Sequence, residues 1–145
     1  MLFKLAIGIF AGAGIILIGL LYDLLFRTLF GSQADISGIW NETKKFSPEV
    51  KNFIIFAGVI IAPICEEIFF RGALFKSFKD NGYTAFGILF SSLMFAAVHF
   101  DPYSFPLYFI FGIALSYTYL KTNSLISAMI AHAINNAVAF YLLYA

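Results

Sequence analysis

Residues 56–75 read FAGVIIAPICEEIFFRGALF, an apolar run that contains three charged side chains. A glutamate or arginine at membrane depth is costly in free energy unless it faces a protein interior or a water-filled cavity. The run therefore predicts a membrane helix that packs against other helices around a polar site. Ser47, Pro48 and Glu49 supply a helix start, with a cap, an early proline and an acid in the first turn. We expect this helix over about residues 50–78.

The composition of the whole chain agrees with a membrane environment. Of its 145 residues, 61% are apolar and 12% are charged, whereas soluble domains are about one-half apolar and one-quarter charged. Roughly 20 helical residues cross a hydrocarbon core about 30 Å thick, so the length allows about five crossings. We therefore predict an all-α fold, a multi-pass transmembrane helical bundle of about five membrane helices in the cell membrane. The net charge of +1 argues against nucleic acid as a partner.

The other segments follow from hydrophobic runs and their interruptions. The polar stretch over about residues 32–51 predicts a loop outside the membrane, with Trp40 and Phe46 at the headgroup level. Residues 1–47 then form an N-terminal transmembrane helix and polar loop, and residues 48–145 form a four-helix core. Apolar runs predict the remaining helices over about residues 2–30, 83–100, 105–120 and 125–144.

Several features of the first helix bear on its packing and orientation. Its apolar run is longer than that of a signal peptide and lacks a clear cleavage site, so we interpret it as a retained membrane helix. Gly8 and Gly12 form a GxxxG pattern, which indicates either close helix packing or a chance match. Asp23 and Arg27 have the spacing of an ion pair on one helix face.

The side chains that the membrane must accommodate include a thiol and several lysines. Cys65 lies inside an apolar run, which favours a buried small side chain over a reactive thiol. The lysines are almost balanced between the two membrane faces and slightly favour a cytoplasmic N-terminus. In a five-helix topology Lys4, Lys76, Lys79 and Lys121 lie at one face, and Lys44, Lys45 and Lys51 lie at the other.

The glutamate doublet is the first part of a candidate site. Adjacent helical residues point about 100° apart, so Glu66 and Glu67 cannot share one role. Glu67 stands four residues before Arg71, the favourable order for an intrahelical ion pair. We therefore expect Glu66 to face the centre of the bundle, on the same side as Ala62 and Phe70.

Both histidines of the chain fall in predicted membrane helices. His99 follows Phe95 by four residues, and His132 precedes Asn136 by four, so each pair shares one helix face. These groups suit hydrolysis, in which a carboxylate takes a proton from water and imidazole and amide groups orient the water and stabilise an oxyanion. Glu66, His99 and His132 also suit a zinc ion with an open position for water. The residues leave open whether a divalent metal or no cofactor is used.

Three short motifs resemble those of the CAAX-processing and bacteriocin-processing (CPBP, abortive-infection) intramembrane endopeptidases. Residues 66–71, EEIFFR, resemble the family's EExxxR motif, residues 95–99, FAAVH, its FxxxH motif, and residues 132–136, HAINN, its HxxxN motif. The resemblance covers about residues 50–144, which would be the family's four-helix catalytic core.

The resemblance implies a role for each motif residue. Glu66 would activate water with His99, and His132 and Asn136 would bind the oxyanion. Glu67, Arg71 and Phe95 would support these groups. The family is described as metalloproteases, with a metal-free glutamate mechanism as the rival account, so the cofactor stays undecided.

The resemblance also implies a substrate class, namely a peptide or lipidated peptide that enters from the membrane. Family members cleave prenylated proteins near the C-terminus, or process and confer immunity to bacteriocin-like peptides. Aromatic side chains of the fourth predicted helix line a lipid-facing opening or simply pack against lipid, so none is assigned to substrate. Two other functions remain alternatives: a catalytically silent membrane scaffold or immunity protein, and a proton or ion carrier.

Overall fold

The computed structural model describes residues 1–30 and 42–144, and this part of the chain is helical and contains no strand. It confirms the predicted all-α bundle of five helices. The predicted position of Trp40 lies outside the described residues. The helices are α1 (Leu2–Phe30), α2 (Pro48–Asp80), α3 (Thr84–Ala97), α4 (Phe105–Thr122) and α5 (Leu125–Tyr144).

Three helices in the described part of the chain are long and apolar enough to cross a membrane. They are α1, α2 and α5, and α2 is the longest at 33 residues. The apolar helix α3 is shorter, with 14 residues, and α4 has 18. Helix α3 ends at Ala97, earlier than the predicted end near residue 100.

Helices α1 and α5 pack closely and run in the same direction. A Cβ atom added to Gly8 would lie 2.7 Å from the Ser127 carbonyl oxygen, and one added to Gly12 would lie 3.1 Å from that of Ala131. Distances this short leave no room for a side chain, so these glycines permit the contact. The structure therefore decides the GxxxG pattern in favour of helix packing.

Aromatic side chains form most of the core between α2, α3 and α4. The rings of Phe70 and Phe95 meet edge to face with centroids 5.3 Å apart, and those of Phe75 and Tyr119 do so at 5.9 Å. These four side chains are at most 5% exposed. Phe70 packs in this core, in agreement with the expectation that it faces the centre of the bundle.

Helix α2 is not a regular α-helix along its whole length. It contains two π-helical stretches, Ala57–Ile61 and Ile68–Phe75, on either side of the α-helical segment Ala62–Glu67. A π-turn inserts an extra residue, which rotates everything that follows it relative to a regular α-helix. Ala62 and Glu66 line the cavity, and Phe70, within the second stretch, lies in the core.

Two further sequence expectations have clear outcomes. Arg27 and Asp23 form the predicted ion pair, with Nε and Oδ2 2.8 Å apart. Cys65 is exposed on the outside of the bundle, so its predicted burial is wrong. Lipid-facing and core-facing positions of a membrane helix are equally apolar, and an apolar run alone does not distinguish them.

Candidate active site

A cavity of about 710 Å³ lies inside the bundle, between α2, α4 and α5. It brings together five of the seven residues that the sequence analysis proposed for the site, namely Glu66, Phe95, His99, His132 and Asn136. One end of the cavity carries four further charged residues, namely Asp23, Arg27, Lys44 and Asp101.

The other two predicted residues, Glu67 and Arg71, lie behind the cavity wall and are fully buried. Arg71 Nη1 donates a hydrogen bond of 2.9 Å to Glu67 Oε1, which confirms the predicted ion pair. Arg71 Nη2 donates to the Gly112 carbonyl oxygen at 3.0 Å and so ties α2 to α4. The Arg71 guanidinium also lies over the Phe95 ring, 4.6 Å from its centroid.

Glu67 also fixes the orientation of His132. His132 Nδ1 lies 2.9 Å from Glu67 Oε1, the same oxygen that binds Arg71. An ionised carboxylate only accepts hydrogen bonds, so Nδ1 carries the proton and donates it. This contact leaves His132 Nε2 on the cavity side, where it faces Glu66.

Glu66 lies on the cavity side of α2, with 29% of its side chain exposed. Its Oε2 atom is 3.8 Å from His132 Nε2, which is too long for a direct hydrogen bond. Among the described residues, this buried oxygen has no hydrogen-bond partner. The exposed part of the Glu66 side chain lines the cavity, where a water molecule can contact it.

His99 lies in the turn after α3, not within that helix as the sequence suggested. The next residue, Phe100, has a positive φ of 51°, which turns the chain away from the helical path. His99 Nδ1 lies 2.7 Å from the Phe95 carbonyl oxygen, so Nδ1 is again the protonated nitrogen. In the neutral ring, Nε2 then carries the lone pair.

The ring of Tyr108 completes the setting of His99. The two rings stack with centroids 4.1 Å apart and an interplanar angle of 24°, and Tyr108 also lines the cavity. The sequence analysis assigned no role to Tyr108 or to the other aromatic residues of the fourth helix. From the sequence alone, Tyr108 resembles an aromatic residue that faces lipid, and only the fold places it against a histidine.

Asn136 is held at the α2 side of the cavity. Its Nδ2 atom donates to the Gly58 carbonyl oxygen at 2.9 Å, and its Oδ1 accepts from Asn135 Nδ2 at 3.2 Å. A side-chain amide has two hydrogens, so one remains for another acceptor. Asn135 lines the same cavity and was not assigned a role from the sequence.

The side chains do not form a ready metal site. Among the residues that the structure describes, no group of three or more His, Cys, Asp or Glu side chains is arranged to hold a metal ion. Glu66, His99 and His132, the set that suggested zinc, are included in that finding. Each histidine uses Nδ1 in a hydrogen bond and keeps Nε2 for another partner, and Glu66 Oε2 lies 3.8 Å from His132 Nε2.

Three bacterial proteins are similar to part of this chain. The membrane-embedded CAAX protease MroQ of Staphylococcus aureus (strain USA300) is 40% identical over 99 residues, which cover 63% of this chain and 40% of MroQ. YdiL of Bacillus subtilis (strain 168) is 31% identical over 83 residues, 57% of this chain and 34% of YdiL. UPF0177 protein YxdF of Lactococcus lactis subsp. lactis (strain IL1403) is 40% identical over 76 residues, 51% of this chain and 41% of YxdF.

The chain thus spans less than half the length of each of these relatives. No solved structure matches it. Its three apolar spans, with a relative that is membrane-embedded, identify a multi-pass membrane protein. The model of the family described as type II CAAX prenyl endopeptidase Rce1-like matches residues 48–138, which contain all three motifs. Because this match covers more than half of the chain, the protein belongs to the Rce1-like family.

Proposed function

We propose that this protein is an intramembrane endopeptidase in which Glu66 activates the water that cleaves the peptide bond. The observation that carries the proposal is the position of the Glu66 carboxylate. The side chain lines the cavity and is 29% exposed, and its Oε2 atom lies 3.8 Å from His132 Nε2. A general base needs to be within reach of the proton that it removes.

In the first step, the Glu66 carboxylate takes a proton from water while the water oxygen attacks the carbonyl carbon of the substrate. His99 Nε2, with its lone pair, accepts a hydrogen bond from the other hydrogen of that water and so orients the water. The Phe95 carbonyl and the stacked Tyr108 ring keep His99 in this position. The new carbon–oxygen bond turns the carbonyl oxygen into an oxyanion.

His132 and Asn136 stabilise that oxyanion. His132 Nδ1 is committed to Glu67, so the ring offers a hydrogen at Nε2 when it is an imidazolium. Asn136 contributes its second amide hydrogen. In the last step the carbon–nitrogen bond breaks and Glu66 returns its proton to the leaving amine.

The proposal assigns no step to a metal or another cofactor, because the side chains do not form a ligand set.

The substrate we propose is a peptide or lipidated peptide that enters from the lipid bilayer. A relative named as a CAAX protease favours a lipidated C-terminal peptide over a bacteriocin-like one. An apolar groove of about 400 Å³ between the end of α1 and the start of α4 is one surface for an apolar chain.

Replacement of Glu66 by glutamine tests the proposal. The change keeps the shape of the side chain but removes the proton acceptor, so we expect cleavage to fall by at least about 100-fold. Purified protein is incubated with a library of free and prenylated peptides, and the products are read by mass spectrometry. Glu42→Gln, at an exposed glutamate paired with Lys45, is the matched control. Undiminished turnover by Glu66→Gln removes the catalytic assignment.

A further inference from the structure

Asn136 is held by a backbone carbonyl that a regular α-helix would not offer. In an α-helix, the carbonyl of residue 58 accepts the N–H of residue 62. Here the Ala62 N–H instead donates to the Ala57 carbonyl oxygen, five residues back, as part of the π-helical stretch Ala57–Ile61. The Gly58 carbonyl therefore loses its usual partner along the helix.

The next donor along the helix is missing as well. In π-helical register the Gly58 carbonyl would accept the N–H of residue 63. Residue 63 is proline, which has no N–H. Its side chain is fully buried at the start of the segment Ala62–Glu67, three residues before Glu66. The π-turn and the proline together leave the Gly58 oxygen free to accept Asn136 Nδ2 at 2.9 Å.

We propose that Pro63 is a positioning residue for catalysis. It keeps backbone donors away from the Gly58 carbonyl, so that this oxygen binds one hydrogen of the Asn136 amide and directs the other into the cavity. The effect is on the orientation of Asn136, because Pro63 itself is not among the residues that line the cavity. This role rests on the proposed function, in which Asn136 stabilises the oxyanion.

Pro63→Ala restores an N–H at residue 63 and gives the Gly58 carbonyl a donor within its own helix. We expect kcat to fall about 10-fold with little change in KM, because an oxyanion donor is misplaced while substrate binding is untouched. We also expect the melting temperature to stay the same or rise, because alanine suits a helix interior better than proline. A merely structural role for Pro63 would lower the melting temperature together with kcat, and that result overturns the proposal.

Pro48→Ala is the matched control. Pro48 lies at the start of α2, where a backbone N–H has no partner within the helix, and it lines neither the cavity nor the apolar groove. We expect its kcat to be unchanged. In the Asn136→Ala background, Pro63→Ala should lower kcat no further, since both changes act through one amide. Independent, multiplying losses in the double variant overturn the proposal.

A measurement that does not depend on activity separates this proposal from the proposed function. In protein labelled with nitrogen-15 asparagine, the side-chain amide signal of Asn136 is identified by its loss in Asn136→Ala. We expect Pro63→Ala to shift that signal and Pro48→Ala to leave it in place. An unshifted signal overturns the role of Pro63 even if Glu66→Gln is inactive. A shifted signal supports that role even if Glu66→Gln retains activity.

Discussion

Glu67 connects more of the site than any other side chain described above. One of its oxygens accepts hydrogen bonds from Arg71 and His132, and so joins α2 to α5, while Arg71 continues the connection to α4. In the proposed mechanism Glu66 activates the water, whereas the position of His132 depends on Glu67. The adjacent glutamates therefore divide the work between chemistry and geometry.

The Glu67–Arg71 pair makes a prediction about stability. Both side chains are fully buried, so removal of one leaves an uncompensated charge inside the bundle. We expect Glu67→Gln or Arg71→Met to lower the free energy of unfolding by about 3 to 5 kcal/mol, and activity to fall as well. Unfolding of the purified protein in detergent measures this.

The exposed pair Asp23–Arg27 provides the comparison for that experiment. Asp23→Asn breaks an ion pair at the same spacing, but the two side chains are 41% and 63% exposed. Exposed pairs contribute little, so we expect a change of at most about 1 kcal/mol. Equal effects at the buried and the exposed pair would contradict the structural role of Glu67 and Arg71.

The close contact between α1 and α5 gives a prediction about a whole helix. Alanine at Gly8 would place a Cβ atom 2.7 Å from the Ser127 carbonyl oxygen, whereas a Cβ atom at Gly14 meets nothing within 4 Å. Gly8→Ala should therefore lower the free energy of unfolding by about 1 to 3 kcal/mol. Gly14→Ala should raise it by about 0.5 to 1 kcal/mol, because alanine favours helix. Equal effects in a detergent unfolding titration would contradict the predicted packing.

The helices themselves were predictable because an apolar run of sufficient length must cross the bilayer. The bounds of α1 and α5 agree with the sequence to the residue. The internal register of α2 was not predictable, since Pro63 announces a disturbed helix but not where the π-turns form.

The candidate site was predictable in its residues and less so in its contacts. Charged and imidazole groups stand out in an apolar chain, and five of the seven predicted residues line one cavity. Tyr108 and Gly58 do not stand out, because an aromatic ring and a glycine are ordinary in membrane helices. Their roles arise from contacts with His99 and Asn136 that only the folded chain creates.

The bundle as a whole bears on the question of a metal. Among the described residues of the whole bundle, no three His, Cys, Asp or Glu side chains are grouped to hold a metal ion, and the proposed mechanism uses none. We expect chelator-washed protein to remain active with well under one metal ion per chain by elemental analysis. A stoichiometric metal whose removal stops cleavage, and whose return restores it, would contradict the metal-free mechanism.

The parallel packing of α1 and α5 has a consequence for where products go. The last turn of α5 borders the charged end of the cavity, together with Asp23, Arg27, Lys44 and Asp101. Lys4 lies across the bilayer, since its carbonyl oxygen binds Ser127 at the opposite end of α5. In the proposed mechanism, water therefore enters, and any hydrophilic fragment leaves, at the end of the bundle next to Tyr144. A soluble reporter joined after that residue would report which cellular space receives them.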